Sequence, residues 1–300
     1  MDVILRPVYN RPEMLYLSIE YELKAREYFK LNNDDFITIF LVEHGADPIV
    51  LDIVNNYPMK KDVIKRDEKF GLSKNILLGM KDAFKIAHNF IIYIEDDVLV
   101  HHTYFKYLNI ILNMFDESEY SLISPFNHND NGDVHYIYKG HHYTALAPLI
   151  NKKFFNLYIK PCITETYYKD FVSRNNFVLA LNQKYRKWWG KEYKYRDGAH
   201  NEQAGLINRL VDVALIEENR YVIMPEVNRQ IHIGYYGKNR PGGKLPGSSF
   251  NERLNNLREI IKSADKMYEL SAAKQYRDYK TFSKKLDEWN GELFLRGIYI

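Results

Sequence analysis

Phe90-Ile91-Ile92-Tyr93-Ile94-Glu95-Asp96-Asp97 runs five apolar residues straight into three carboxylates. An apolar run of that length reads as a central strand covered on both faces. In sheets of this kind ligands bind beyond the carboxyl ends of the strands, where the acidic triplet falls. Three adjacent carboxylates repel one another, and a cation among them relieves that repulsion. Oxygen donors without a thiolate suit Mg²⁺ or Mn²⁺ better than zinc. The plainer alternative is that the triplet caps a following helix, but capping needs one acid and not three.

Upstream of this strand, Asp2 to Tyr9 reads as a strand that meets Asn10-Arg11-Pro12, a helix-start signal, and Leu15, Ile19 and Leu23 then recur at helical spacing. Phe36 to Val42 reads as a second buried strand, Pro48 to Asn56 as a short helix and Asp62 to Lys65 as a third strand. Leu72, Ile76, Met80, Ala83 and Ala87 make one apolar helical face. The alternation predicts an α/β fold with a mostly parallel central sheet flanked by helices. Downstream come a helix over residues 103–115, a strand over 121–124, and loops with short strands over 127–143. Past Pro246, Leu254, Leu257, Ile261, Ala264 and Tyr268 share one helical face. The expected division is therefore a main domain over 1–245 and a C-terminal helical extension over 246–300 packed on it.

The 300 residues are 46% hydrophobic and 27% charged, ordinary for a globular chain. No apolar run approaches the ~20 residues of a membrane span. The N-terminus lacks the basic and apolar blocks of a secretory signal. The single cysteine, Cys162, excludes an internal disulfide framework. A cytoplasmic protein is expected, in the host cytoplasm if the chain is viral. The net charge of +3 names no partner by itself.

Local clusters say more. Between Leu181 and Arg196 stand six Lys or Arg, including Lys184, Arg186, Lys187 and Lys191, and one acid, interleaved with Tyr185, Trp188, Trp189, Tyr193 and Tyr195. Cations that grip phosphate and rings that stack on bases are the pairing nucleic-acid binders use. A solvated basic face or a sugar-binding aromatic platform also fits. Gly234 to Ser249 holds five glycines, two prolines, Lys238, Arg240 and Lys244. That composition suits a loop closing over a diphosphate, or a linker into the helices. His232, just before it, is a candidate second metal ligand or a structural histidine. Residues 127–133 lack the bidentate acid and the glycine position of an EF-hand loop.

Several landmarks occur in order: Val8-Tyr9-Asn10-Arg11-Pro12, Gly71-Leu72-Ser73-Lys74, Tyr93-Ile94-Glu95-Asp96-Asp97-Val98 with Phe105 and Tyr107, Ser124-Pro125-Phe126-Asn127-His128-Asn129-Asp130-Asn131-Gly132, and Met224-Pro225-Glu226-Val227-Asn228-Arg229. Together they resemble inverting glycosyltransferases of the GT-A fold, the N-acetylglucosaminyltransferase I type in particular, over residues 3–245. The resemblance implies a Rossmann-like fold and a UDP-sugar donor. It implies Asp97 as direct metal ligand, Asp96 and Glu95 as contacts to ribose or sugar, and Arg11 and Glu43 as nucleotide contacts. Lys74, Lys238 and Arg240 complete the expected nucleotide-sugar set, and His232 joins Asp97 at the metal. The catalytic base of that family lies in a Trp-Asp-Asp-Trp segment. Here the corresponding region reads Asp197-Gly198-Ala199-His200-Asn201-Glu202-Gln203, without the tryptophans. Glu202 is the first choice for the base, with Asp197 and His200 as alternatives.

The expectation is a metal-dependent glycosyltransferase using Mn²⁺ or Mg²⁺. The absence of an anchor and of disulfides, with the abundance of Tyr, Asn and Lys, points to a bacteriophage or bacterial enzyme. Its expected acceptor is a hydroxymethylated pyrimidine in DNA, flipped from the duplex. The rivals are a microbial polysaccharide or glycolipid transferase and a catalytically silent nucleotide-sugar or DNA-binding module.

Overall fold

The computed structural model describes residues 1–127, 132–141, 143–163, 211–212, 214–216, 218–236, 242–264 and 279–298. Four parallel strands form one half of the main sheet. They are β1 (Asp2–Val8), β2 (Phe36–Val42), β3 (Lys61–Lys65) and β4 (Phe90–Tyr93), in spatial order β3-β2-β1-β4. The helices that join them are α1 (Pro12–Phe29), α2 (Pro48–Asn55) and α3 (Leu72–Ile86). The strands and helices expected from residue 2 to residue 87 all form, with boundaries moved by a residue or two.

Alternation along β1 and β4 decides what each face meets. Val3, Leu5, Ile91 and Tyr93 join Ile76, Leu77, Met80 and Ala83 of α3 in one buried cluster. Ile4, Ile92 and Ile94 point the other way, into a cluster with Tyr104, Phe105, Leu108 and Ile111 of α4 (Tyr104–Met114). Both faces of β4 are therefore covered, as its unbroken apolar run requires. In α3, Gly79 lies against β2: a Cβ there would run into the side chain of Leu41, so the missing side chain sets how near the helix comes.

The other half of the nine-stranded sheet is mixed. β8 (Leu149–Asn151) is antiparallel to β4, and β6 (Leu122–Ile123) is antiparallel to β8. β9 (Val222–Pro225) runs parallel to β6, and β7 (Tyr136–Gly140) antiparallel to β9. β5 (Val98–Val100) leaves the main sheet after the acidic triplet and pairs antiparallel with β10 (Gln230–His232). After β8 come α5 (Lys152–Phe154) and its continuation in π and 3₁₀ turns to Cys162.

The segment past residue 246 holds two helices, α6 (Phe250–Ser263) and α7 (Tyr279–Asp287), numbered here among the described residues. Leu254, Leu257 and Ile261 of α6 pack with Met14 and Leu17 of α1 and with Leu99 and Ile231 of the small sheet. The expectation of a purely helical extension is corrected at Phe294–Ile298, which is strand β11, parallel to β7 at the sheet edge. Gly291 before this run and Gly297 within it disfavour helix, and the edge of β7 offers backbone partners.

One buried polar network crosses the fold beneath the sheet ends. Arg6 of β1 and Glu22 of α1 are both fully buried, and Arg6 Nε donates to Glu22 Oε2 at 2.8 Å. Arg26 Nε and the Tyr57 hydroxyl each donate to Glu22 Oε1 at 2.8 Å. Arg6 also reaches Ser18 Oγ at 3.1 Å, and Ser18 Oγ donates to the Val98 carbonyl at 2.6 Å. Burial alone would raise the Glu22 pKa, but Arg6 and Arg26 outweigh it and hold the carboxyl below its usual range. The network fixes α1 to β1 and to the first residue of β5, so the loop between β4 and β5 is held at both ends.

Candidate functional site

The loop pinned in this way carries the acidic triplet. Ile94 N–H donates to the Leu5 carbonyl at 3.0 Å, which keeps the chain in line with the sheet for one residue past β4. Glu95, Asp96 and Asp97 then turn into the space beyond the ends of β1 and β4. Asp97 is fully buried and Asp96 is nearly so.

Arg11, the residue before α1, reaches the triplet from the end of β1. Its guanidinium bonds Asp96 through two nitrogens, with Nε to Oδ2 at 3.2 Å and Nη2 to Oδ1, and its Nη1 bonds Asp97 Oδ2. Burial by itself lowers the Arg11 pKa, but the charges of Asp96, Asp97 and Glu95 prevail and keep the side chain protonated. Its pKa is raised.

From the opposite side β10 brings His232. Pairing of His232 with Val98 sets the imidazole beside the triplet, and its Nε2 lies 3.1 Å from Asp97 Oδ2. Ile233 N–H donates to the Asp97 carbonyl at 2.8 Å, so β10 holds Asp97 through backbone as well. Gly234 follows. A Cβ there would come within 2.6 Å of His232 Nε2 and nearer still to Asp97 Oδ2. The glycine thus keeps the mouth of this nitrogen–oxygen pair clear, which is the room a cation needs. A carboxylate oxygen and an imidazole nitrogen fit Mn²⁺ well and Mg²⁺ acceptably, with phosphate and water oxygens to complete six ligands.

The carboxylates are poised for such a charge. Burial, then repulsion from Asp97, pushes Glu95 up to about 7, against the Tyr93 hydroxyl that donates to its Oε1 at 2.7 Å. Burial pushes Asp96 up to about 6, with Arg11 pulling down and Asp97 adding to the rise. Tyr93 itself is buried, and its phenol is raised by burial and by Glu95.

Of the residues expected at a site, the fold gathers Arg11, Glu95, Asp96, Asp97 and His232. Glu43, at the end of β2, is engaged elsewhere: its Oε1 accepts from His44 N and Phe70 N at 2.9 and 3.0 Å, and its Oε2 from Gly71 N at 2.8 Å. It ties down the loop that starts α3, where Gly71 sits at φ 73°. Lys74 holds its Nζ 4.0 Å over the Phe70 ring and 3.4 Å from Glu68. Asp197, Glu202, Lys184, Arg186, Lys187, Trp188, Trp189, Lys191, Lys238 and Arg240 lie outside the described residues.

Two contributors were not singled out from the sequence. Tyr93 stands there in the apolar strand and in the Tyr93–Val98 landmark without a role of its own, and its contact with Glu95 depends on side-chain direction. Asp212 is buried and accepts Tyr143 N–H at 2.7 Å, while the Tyr143 phenol is raised by burial, then by Glu95 and Asp212. Nothing in the local sequence marks it. The Met224–Arg229 landmark turns out to be scaffold: Asn228 Oδ1 accepts from Asn127 N at 2.6 Å, and Arg229 lies 4.1 Å over the Trp289 ring.

No family model and no curated protein matches the sequence. Among solved structures, the chain is similar to the mannosyltransferase PcManGT from Pyrobaculum calidifontis in complex with GDP-Man and Mn²⁺. The identity is 9% and the TM-score 0.38, over 51% of this chain and 45% of that one. It is similar to S. aureus TarS 1–349 in complex with UDP-GlcNAc at 12% identity and TM-score 0.37, over 52% and 47%. HddC from Yersinia pseudotuberculosis gives 14% identity and TM-score 0.34, over 55% and 87%. The chain spans about half the length of the first two. Likeness at this level carries no statement about activity, so the functional reading rests on the side chains themselves. Among the described residues no helix is long and apolar enough to cross a membrane.

Proposed function

We propose that the protein is a GT-A-type glycosyltransferase, dependent on Mn²⁺ or Mg²⁺, that moves a sugar from a UDP-sugar to a hydroxyl acceptor. The observation that carries this reading is the Asp97–His232 pair with its open side at Gly234, set against Asp96 and Arg11 beyond the carboxyl ends of β1 and β4. A cation, a cationic fork and buried carboxylates at one sheet edge are what a nucleotide diphosphate needs.

Asp97 and His232 would hold the ion, which when bound neutralises the charge that builds on the departing diphosphate. Arg11 satisfies Asp96 and Asp97 in the free protein and presents a planar fork suited to phosphate oxygens once a donor arrives. Glu95 and Asp96 accept hydrogen bonds from ribose or sugar hydroxyls. Glu43 shapes the nucleotide end of the cleft by fixing the Phe70–Gly71 turn, and Lys74 stands on the helix that begins there. Lys238 and Arg240, in the basic glycine-rich segment after Gly234, are assigned to the diphosphate by their charge. The acceptor hydroxyl attacks the anomeric carbon as its proton passes to Glu202, or to Asp197, and the carbon–phosphate-oxygen bond breaks on the opposite face with inversion.

The test is release of UDP from UDP-sugars. Release is expected with Mn²⁺ or Mg²⁺, absent with chelator, and lost in Asp97→Asn. A wild-type chain that binds UDP but never turns over a donor is the silent nucleotide-sugar module instead. For the acceptor we propose hydroxymethylated DNA, supported by the cations and rings of residues 181–196. Binding that weakens steeply with salt, and a salt slope flattened by neutralising Lys184, Arg186, Lys187 and Lys191 together, is the expected result. Salt-independent binding to a neutral glycan would move the acceptor to a polysaccharide or glycolipid.

A further inference from the structure

We propose that His101, His102 and Asp287 form a second metal site, of the kind that takes Zn²⁺, clasping the end of α7 to the corner between β5 and α4. Their ligand atoms lie within 4.8 Å of one another, a grouping of histidine and carboxylate donors well apart in kind from the acidic triplet. His101 Nε2 is 3.3 Å and His102 Nδ1 3.7 Å from Asp287 Oδ1. Bonds of about 2.0–2.2 Å to a tetrahedral zinc place neighbouring ligand atoms about 3.3–3.6 Å apart, so two edges of the tetrahedron are nearly formed.

The chemistry of the donors agrees with that geometry. Two imidazoles and one carboxylate, with a fourth place open to water, suit zinc better than Mg²⁺. His101 is largely buried and His102 partly so, and the neutral form of each imidazole offers a nitrogen lone pair on the side of Asp287. His101 Nδ1 sits 2.9 Å from Thr103 Oγ1, the outer hydrogen bond that orients a ligating ring and turns Nε2 toward Asp287. The Thr103 N–H reaches the same Nδ1 at 3.3 Å and stabilises the other tautomer in the metal-free protein. Zinc entry then needs a proton to change nitrogen, with little movement of the ring. The two imidazoles lie tilted against each other with centroids 4.2 Å apart, and His102 lies 4.5 Å from the Tyr28 ring. The opposing charge nearby is Arg229, whose guanidinium is turned onto the Trp289 ring.

Such an ion would join two parts of the chain far apart in sequence. His101 and His102 follow β5 directly, and β5 pairs with the strand that carries His232. Asp287 is the last residue of α7 and is half exposed, so ligand and water can enter from solvent.

The experiment uses the full chain, stripped with chelator and titrated with Zn²⁺ alone by calorimetry, with Co²⁺ absorption as a second readout. Asp97→Asn disables the acidic triplet, so metal taken up by this variant reports the second site. One equivalent of Zn²⁺ and a four- or five-coordinate Co²⁺ spectrum are expected from it. Adding His102→Gln or Asp287→Asn should weaken binding by at least ~10-fold, the low end of what changes around a metal cost. Zinc should also raise the melting temperature of Asp97→Asn, and this gain should vanish in the double variants. No zinc uptake by Asp97→Asn, or uptake unchanged by both second substitutions, overturns the proposal. His102 is partly exposed and outside the core, so His102→Gln decides the matter if Asp287→Asn fails to fold.

Discussion

At the residue scale, the protein concentrates charge where water is scarce and balances it in two different ways. Glu22 is balanced permanently by Arg6 and Arg26. Removing one partner of a buried pair strands the other, so Glu22→Ala should cost about 3–5 kcal/mol in urea unfolding. The triplet is balanced provisionally, chiefly by Arg11 with His232 beside Asp97, and this leaves a pH signature. Glu95 and Asp96 titrate near 7 and 6, above their unfolded values, so between pH 4.5 and 7 the folded chain binds more protons than the unfolded one. Their contribution therefore lowers stability as pH rises through that window. The melting temperature of the metal-free protein should fall from pH 5 to 7.5 by this effect, and Mn²⁺ should restore it increasingly toward pH 8. A Mn²⁺ affinity independent of pH between 6 and 8 would sink the carboxylates as its site. The triplet was legible in the sequence because three acids after an apolar run have few other uses. Arg11 was legible only through the ordered landmarks, since one arginine before a proline says nothing about what it faces.

At the element scale, two glycines set distances that helix and strand patterns do not reveal. Gly79 lets α3 approach β2. Alanine there improves helix propensity by about 1 kcal/mol but forces Leu41 aside, and overpacking costs about 1–3 kcal/mol. Gly79→Ala should therefore be neutral to destabilising in thermal melting, the reverse of an exposed helix site. Gly234→Ala should lower the melting temperature, because the new methyl group presses on buried Asp97 and His232, and should also reduce Mn²⁺ affinity ~10-fold or more by calorimetry by filling the mouth of that pair. Equal affinity in the variant would mean the ion lies elsewhere. The same scale shows why β5 and β10 were missed as a pair: three residues each, 130 apart in sequence, they carry no periodicity that a local reading can detect. His232 could be suspected, but only their antiparallel register puts it against Asp97.

At the scale of the whole molecule, the parallel half of the sheet was readable because β1, β2 and β3 are each followed by a helix and β4 is an unbroken apolar run. The mixed half was not, because β6 and β8 are two and three residues long and borrow their order from neighbours on both sides. Strand β11 belongs to this half. Phe294 pairs with Tyr136, and Arg296 Nη1 donates to Glu226 Oε1 at 2.7 Å across the sheet end. Arg296→Ala should cost no more than about 1 kcal/mol, since the arginine is largely exposed. Replacing Phe294 by proline should cost several times that, by removing the hydrogen bond its N–H donates to the His135 carbonyl at 2.7 Å. The late position of β11 has a consequence for synthesis. A nascent chain can close β1 to β4 as they emerge, but the outer edge of β7 (Tyr136–Gly140) stays bare until Phe294–Ile298, roughly 150 residues further on, has been translated. At roughly 5–20 residues per second that edge waits for many seconds, a template on which two unfinished chains can pair. Slower initiation, with fewer chains emerging together, should raise the soluble yield more than any change to the acidic loop.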